Sequence, residues 1–151
     1  MTDRYADVLL VEDNADDAEF TLRALARGGE GELSIAVAED GVAALDFMFA
    51  TGRFADRATE GLPRVVLLDL KLPRIDGLEV LQRLKSDERT RGVPVVVLTS
   101  SRERRDIREA YQRGANSYVV KPVEYAELTA KLADIVRYWL GWNRSATGDQ
   151  R

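Results

Sequence analysis

Glu12, Asp13, Asp69, Thr99 and Lys121 are the residues of this chain whose types and placement could do chemistry together. Each stands at the end of a short apolar run. Val8-Leu9-Leu10-Val11 precedes Glu12-Asp13, Val65-Val66-Leu67-Leu68 precedes Asp69, Val95-Val96-Val97-Leu98 precedes Thr99, and Tyr118-Val119-Val120 precedes Lys121. Runs of this kind read as strands buried on both faces. Open α/β sheets bind ligands at the carboxyl ends of their strands. If these strands form one parallel sheet, three carboxylates, a hydroxyl and an ammonium converge on one edge. Clustered carboxylates repel one another, so the group favours a hard cation with oxygen ligands, and Mg2+ alongside a phosphate suits it. Lys121 is then a point charge for phosphate and Thr99 a hydrogen-bond donor to it. Together these parts fit phosphoryl transfer onto an aspartate, with Asp69 as nucleophile. A lone Asp69 would be no more than a strand end or turn cap; the other strand ends give it weight.

The segments between the runs must position these residues, and they read as helices. Asn14 or Asp16 can cap a first helix whose Ala18, Leu22 and Leu25 share a face, and Gly28-Gly29 stops it. Leu33 to Ala38 alternates large and small, as a strand nearer the sheet edge does. Asp40-Gly41 opens a second helix with Val42, Leu45 and Phe49 inward. The stretch from Ala50 to Pro63 is a long connection, read as a tolerated surface insertion before a partner-facing loop. Leu72-Pro73 ends the central strand segment, and Asp76-Gly77-Leu78-Glu79 starts a third helix carrying Leu78, Leu81 and Leu84. Ser100 with Glu103 signs a fourth helix, showing Ile107, Ala110 and Tyr111 and ending at Gly114; its five arginines alternate with acids, as on a solvated face. A last helix from near Val123 bears the stripe Leu128, Leu132, Ile135, Trp139, and residues 143–151 read as a disordered tail. Alternating strands and helices imply a parallel sheet covered on both faces; spacing alone does not give the strand order.

Composition narrows the function classes. The chain has 151 residues, 45% hydrophobic and 32% charged, which suits one soluble domain with a sizeable core. A net charge of −4 gives no reason to expect nucleic acid. There is no cysteine and no histidine, so no disulfide, thiolate site or imidazole base, and any phosphohistidine must belong to a partner. No signal-peptide region and no membrane span are read, and the expected location is cytoplasmic.

The chain resembles the receiver domain of two-component response regulators. The matching residues are Val11-Glu12-Asp13-Asn14, the stretch from Leu68 to Gly77, Leu98-Thr99-Ser100, and the stretch from Gly114 to Pro122 with its Lys121-Pro122. The resemblance implies an α/β, flavodoxin-like fold, a doubly wound five-stranded parallel sheet of order 2-1-3-4-5, over residues 5–142. It implies that Asp69 accepts a phosphoryl group from a sensor histidine kinase. It also implies that Mg2+ is held by Asp13, Asp69 and the backbone carbonyl of Lys71, with Glu12 acting mainly through water. Thr99 and Lys121 would contact the phosphoryl oxygens, Lys121 facing Asp13 and Asp69 beforehand. Tyr118 would be the switch aromatic, and Lys121-Pro122 a cis peptide.

A closer likeness is to the single-domain regulators that serve bacterial phytochromes. Val11-Glu12-Asp13-Asn14-Ala15-Asp16-Asp17-Ala18, the long connection before the third strand and Arg137-Tyr138-Trp139-Leu140-Gly141-Trp142 carry it. The chain leaves no room for a DNA-binding or enzymatic output domain, so protein–protein contact is the expected output, with no enzyme activity beyond self-catalysed phosphotransfer and dephosphorylation. A homodimer is expected through Tyr138, Trp139, Leu140 and Trp142, aromatic anchors near the chain end. Two alternatives stand beside this reading. One is a receiver-like adaptor that takes no phosphate, against which the intact Asp13, Asp69, Thr99 and Lys121 argue. The other is a haloacid-dehalogenase-like phosphatase, which needs a second aspartate where Lys71 stands.

Overall fold

The computed structural model describes residues 6–28, 33–57 and 61–146. Five strands, β1 (Val8–Val11), β2 (Ile35–Ala38), β3 (Val65–Leu68), β4 (Val95–Thr99) and β5 (Ser117–Val120), alternate with five helices. The helices are α1 (Ala15–Gly28), α2 (Gly41–Phe49), α3 (Gly77–Ser86), α4 (Arg104–Gln112) and α5 (Tyr125–Val136). All strand pairs are parallel, in the order β2-β1-β3-β4-β5. The three inner strands are fully buried, whereas β2 and β5, at the edges, are mostly half-buried. That is why the inner runs are continuously apolar and β2 mixes large and small residues.

Alternation along the strands builds two cores. Leu9, Val11, Val66, Leu68, Val95 and Val97 face α2 and α3, with Phe47, Val80, Leu81 and Leu84. Val8, Leu10, Val65, Leu67, Val96 and Leu98 face α1 and α5, with Leu25, Leu128 and Leu132. Because every strand pair is parallel, all five carboxyl ends lie at a common edge.

Local chemistry sets the helix starts. Asn14, not Asp16, caps α1: its Oδ1 accepts from Asp17 N at 2.9 Å. Asp40 caps α2 through Ala43 N at 2.7 Å, and Asp76 caps α3 through Glu79 N at 3.0 Å. The expected α2 face is corrected: Ala43, Ala44, Leu45, Phe47 and Met48 are buried, while Val42 and Phe49 are only half-buried. An almost uniformly apolar helix has no polar face from which its register can be read. α4 begins at Arg104, and Ser100 does not cap it. Ser101 does the local work instead, as described below. Tyr111 is half exposed rather than inward.

The long connection after α2 is not a featureless insertion. Gly52–Arg57 forms a 3-10 segment on α2, with Phe54 edge-on to Phe47 and the buried Arg57 guanidinium 3.6 Å from the Phe47 ring centre. Residues 58–60 of this connection, and Gly29 in the expected stop of α1, lie outside the described residues. α5 passes into a π-helical segment, Arg137–Trp142. Of the expected tail, residues 143–146 are described, with Asn143 N donating to Tyr138 O at 2.7 Å, and residues 147–151 lie outside the described set, as does residue 5.

Candidate functional site

The register places the site residues at one level. Val11 pairs with Leu68 and Leu68 with Val97, while Thr99 pairs with Val120. Glu12, Asp13, Asp69, Thr99 and Lys121 therefore leave the sheet along one edge, as the sequence implied. Asp69 N donates to Val11 O at 3.1 Å and Lys121 N to Thr99 O at 2.7 Å, so the ladder itself holds the first residue of each loop. The carboxylate oxygens of Glu12, Asp13 and Asp69 lie within 4.8 Å of one another.

Lys121 does not face Asp13 as expected. Its Nζ donates to Glu12 Oε1 at 2.7 Å and lies 3.6 Å from Asp69 Oδ2. Glu12 is buried and Asp13 exposed. Successive residues leaving a strand point to opposite sides, so only one of two adjacent acids can turn in toward the lysine. The other Glu12 oxygen accepts from Asn14 N at 3.2 Å.

Burial pushes the Glu12 carboxyl above its ordinary range, despite the opposing hydrogen bond and charge of Lys121. Burial pulls Lys121 down, but the hydrogen bond and charge of Glu12, helped by Asp69 and Asp17, outweigh it and hold the ammonium above its usual value. Lys121 thus stays charged over the whole neutral range. The helix-dipole role expected of Asp17 is joined by a second one, since its charge also favours the Lys121 ammonium.

The Lys121–Pro122 peptide is trans, correcting the expected cis form. An X–Pro bond prefers trans by about 0.5–1 kcal/mol, and here Lys121 N keeps its ladder bond to Thr99 O without any cis turn.

Thr99 is buried, and its Oγ1 accepts from Ser101 N at 3.4 Å. The Tyr118 hydroxyl donates to the Ser101 carbonyl at 3.0 Å, which lays the aromatic ring over the loop after β4. Burial pushes that phenol up. Ser101 Oγ in turn donates to Asp106 Oδ2 at 2.6 Å and accepts from Glu103 N. Ser101 and Asp106 escaped the sequence reading. Capping-box spacing points to Ser100 with Glu103, whereas Ser101 meets Asp106 five residues on, a spacing that carries no such signal.

The loop from Asp69 to Gly77 is tightly seated. Lys71 N donates to Asp69 Oδ1 at 3.3 Å, and Gly77 N to Leu70 O at 2.9 Å. A Cβ on Gly77 would lie 2.3 Å from Asp69 O, so only glycine lets α3 start this close to the site. Arg74 has a φ of 70°, and its guanidinium reaches Asp40 at 3.7 Å. A cleft of about 460 Å³ lies between Asp13, Lys71, Asp76 and Asp106.

These carboxylates, all oxygen donors with no nitrogen or sulfur among them, fit a hard divalent cation such as Mg2+ better than a softer metal. Among the described residues, no other cluster of metal-ligating side chains is present. Tyr138 and Trp142 are exposed, while Trp139 and Leu140 pack partly against the α1–α5 core, so the expected dimer residues do not form one free patch.

Comparison with known proteins agrees with the geometry. The model of the response regulator receiver domain matches residues 8–133. The probable methanogenesis regulatory protein FilR2 of Methanothrix harundinacea is 47% identical over 139 residues, covering 91% of this chain and 86% of that protein. The phosphorylated cyanobacterial phytochrome response regulator RcpA superposes with a TM-score of 0.84 at 31% identity, covering 94% of this chain and 99% of its own. The bacteriophytochrome response regulator AtBRR gives a TM-score of 0.73 at 46% identity, covering 93% and 99%. A parallel sheet ordered 2-1-3-4-5, an acidic edge facing a half-buried lysine, and a match over most of the chain lead to one assignment: this chain belongs to the response regulator receiver family, with phytochrome-associated regulators among its structural relatives.

Proposed function

We propose that this chain is a phosphoacceptor switch in which Asp69 takes a phosphoryl group from a phosphohistidine of a sensor kinase. The observation that carries the reading is Lys121 seated between Glu12 and Asp69 beside a cluster of three carboxylates. An Asp69 oxygen attacks phosphorus, the P–N bond breaks, and the imidazole leaves with a proton. Asp13, Asp69 and the Lys71 carbonyl would hold Mg2+, with Glu12 acting mainly through water. When bound, Mg2+ neutralises charge on the phosphoryl oxygens.

Lys121 exchanges part of its contact with Glu12 and Asp69 for a phosphoryl oxygen, and Thr99 turns its hydroxyl to another. Thr99 Oγ1 now touches Ser101 N, and Tyr118 touches Ser101 O, so a shift of Thr99 alters the seat of Tyr118. The phosphoryl group can shift this equilibrium only through such differential contacts. Partner contact follows, with no enzymatic output from this domain.

The kinase belongs to the histidine kinase class, and a bacterial phytochrome is the specific candidate. RcpA and AtBRR support that choice, whereas the similarly identical FilR2 is described by a different process. A homodimer through the Arg137–Trp142 segment completes the proposal, with Tyr138 and Trp142 as its exposed anchors.

The test is transfer of label from a phosphorylated sensor kinase. Wild type takes label in Mg2+ and loses that ability in excess chelator, and Asp69→Asn takes less than about 1% of it. Equal labelling of Asp69→Asn removes Asp69 from this role.

A further inference from the structure

β5 carries two residues of the proposed switch, Tyr118 and Lys121 emerging from its end, yet it is an edge strand. It pairs only with β4, over four residue pairs, and none of its residues is fully buried. A slip of one residue would turn every β5 side chain to the opposite face of the sheet. Tyr118 and Val119 pack partly against opposite cores, which favours this register, and hydrogen bonds hold it at both ends of the ladder.

At the site end the fixing bond is Lys121 N to Thr99 O. At the far end, Asn116 does the work twice. Its backbone N donates to Val95 O at 2.9 Å, and its side-chain Oδ1 accepts from Val95 N at 2.8 Å. The same Oδ1 accepts from Lys85 Nζ at 2.9 Å. Lys85 Nζ also donates to Val93 O at 2.9 Å and Arg91 O at 3.1 Å, so its three protons all have acceptors. Burial pulls this ammonium below its usual range, which shows how far it has left water to make those bonds.

Gly114 completes the arrangement. Its φ is +106°, and a Cβ there would stand 2.8 Å from Lys85 Cγ. Glycine therefore lets the lysine stem cross under the turn between α4 and β5. One ammonium from α3 thus ties the approach to β4 and the start of β5 into a single knot, at the end of the sheet opposite Asp69.

We propose that Lys85 and Asn116 are positioning residues whose clasp sets the register of β5 and, through it, the placement of Tyr118 and Lys121. The clasp touches neither metal nor phosphoryl group; its bearing on phosphorylation rests on the role of Lys121 proposed above.

Two measurements on the full chain test it. Amide hydrogen exchange is compared between β5 and β1 in wild type, Lys85→Met, Asn116→Ala and Asn116→Asp. The first two variants speed exchange at residues 117–120 at least about tenfold more than at residues 8–11. Asn116→Asp, which keeps an acceptor for both Val95 N and Lys85 Nζ, restores protection. Equal acceleration in both strands, unchanged exchange in β5, or an Asn116→Asp that behaves like Asn116→Ala overturns the clasp.

The second measurement separates Mg2+ affinity from the rate of labelling by acetyl phosphate. The Mg2+ ligands lie on no part of β5, so Lys85→Met and Asn116→Ala leave that affinity within about twofold while labelling slows about tenfold. Parallel losses of both overturn the proposal. A wild type that takes no label from acetyl phosphate overturns the phosphoacceptor reading, and the exchange comparison then decides the clasp by itself.

Discussion

Glu12 and Lys121 form the most consequential residue pair of the site, because both are withdrawn from water. Their side chains are 3% and 13% exposed, and removing one partner of such a pair costs about 3–5 kcal/mol. Lys121→Met is therefore expected to lose about 3 kcal/mol at pH 7.5. The loss depends on pH in a fixed sense. Glu12 titrates above its ordinary 4.5 in the folded chain, so just above that pH the folded state holds the proton more readily than the unfolded state. Lowering the pH through that window stabilises the fold. Without Lys121, whose hydrogen bond and charge lower Glu12, the window extends further upward. The stability gap between wild type and Lys121→Met should narrow as the pH falls from 7.5 to 5, measured by urea midpoints. A gap that stays constant would show that Glu12 is not the group left stranded. At this scale the site was legible from strand ends alone, because position after a buried apolar run needs no three-dimensional information. Which of Glu12 and Asp13 turns inward was not, since that depends on how the loop after β1 leaves the sheet.

Elements were legible to the extent that they had contrast. α1, α3 and α5 carry polar faces that reveal their buried ones, and Ala18, Leu25, Leu81, Leu84, Leu128 and Leu132 are buried as read. α2 lacks that contrast, and its inward face was misread. The segment Gly52–Arg57 escaped notice because its order comes from Phe47 beneath Arg57 and Phe54, side-chain contacts that the glycine at position 52 does not announce. The start of α3 bears most directly on function. Gly77 meets the Asp69 carbonyl and Leu70 Cα so closely that any Cβ must push the loop away. Gly77→Ala is expected to lower stability by about 1–3 kcal/mol, as overpacking does. It should also slow labelling of Asp69 more than it shifts the melting midpoint accounts for. Thermal melts paired with labelling rates at a temperature where the variant is fully folded would check this; an unimpaired rate would mean that the loop adjusts without moving Asp69.

Over the whole molecule, the parallel sheet separates two ends. All proposed chemistry stands at the carboxyl edge of the strands. α5 runs back toward the other edge, and the Arg64 guanidinium, just before β3, donates to the Leu140 carbonyl there. The π-helical segment is therefore tethered to the start of the strand whose far end carries Asp69. Tyr138 and Trp142, the exposed aromatics of this segment, are expected to bury themselves against a second copy in a symmetric pair. Sedimentation of the full chain against a version stopped before Tyr138 would decide it. The full chain should sediment as a dimer at ~100 μM, well above the micromolar affinity of weak specific interfaces, and the shortened chain as a monomer. A full chain that is monomeric there removes the dimer.

Trp139 and Trp142, the only tryptophans in the sequence, both lie in that far segment. The protein thus carries a built-in optical label at the end of the sheet where no cation or phosphate is expected. Its tryptophan fluorescence, excited where tyrosine does not absorb, should be indifferent to added Mg2+ and should shift on dilution as Trp142 moves from a dry interface into water. Light emission from the unmodified chain would then report assembly alone, separating who this molecule touches from what it has been given.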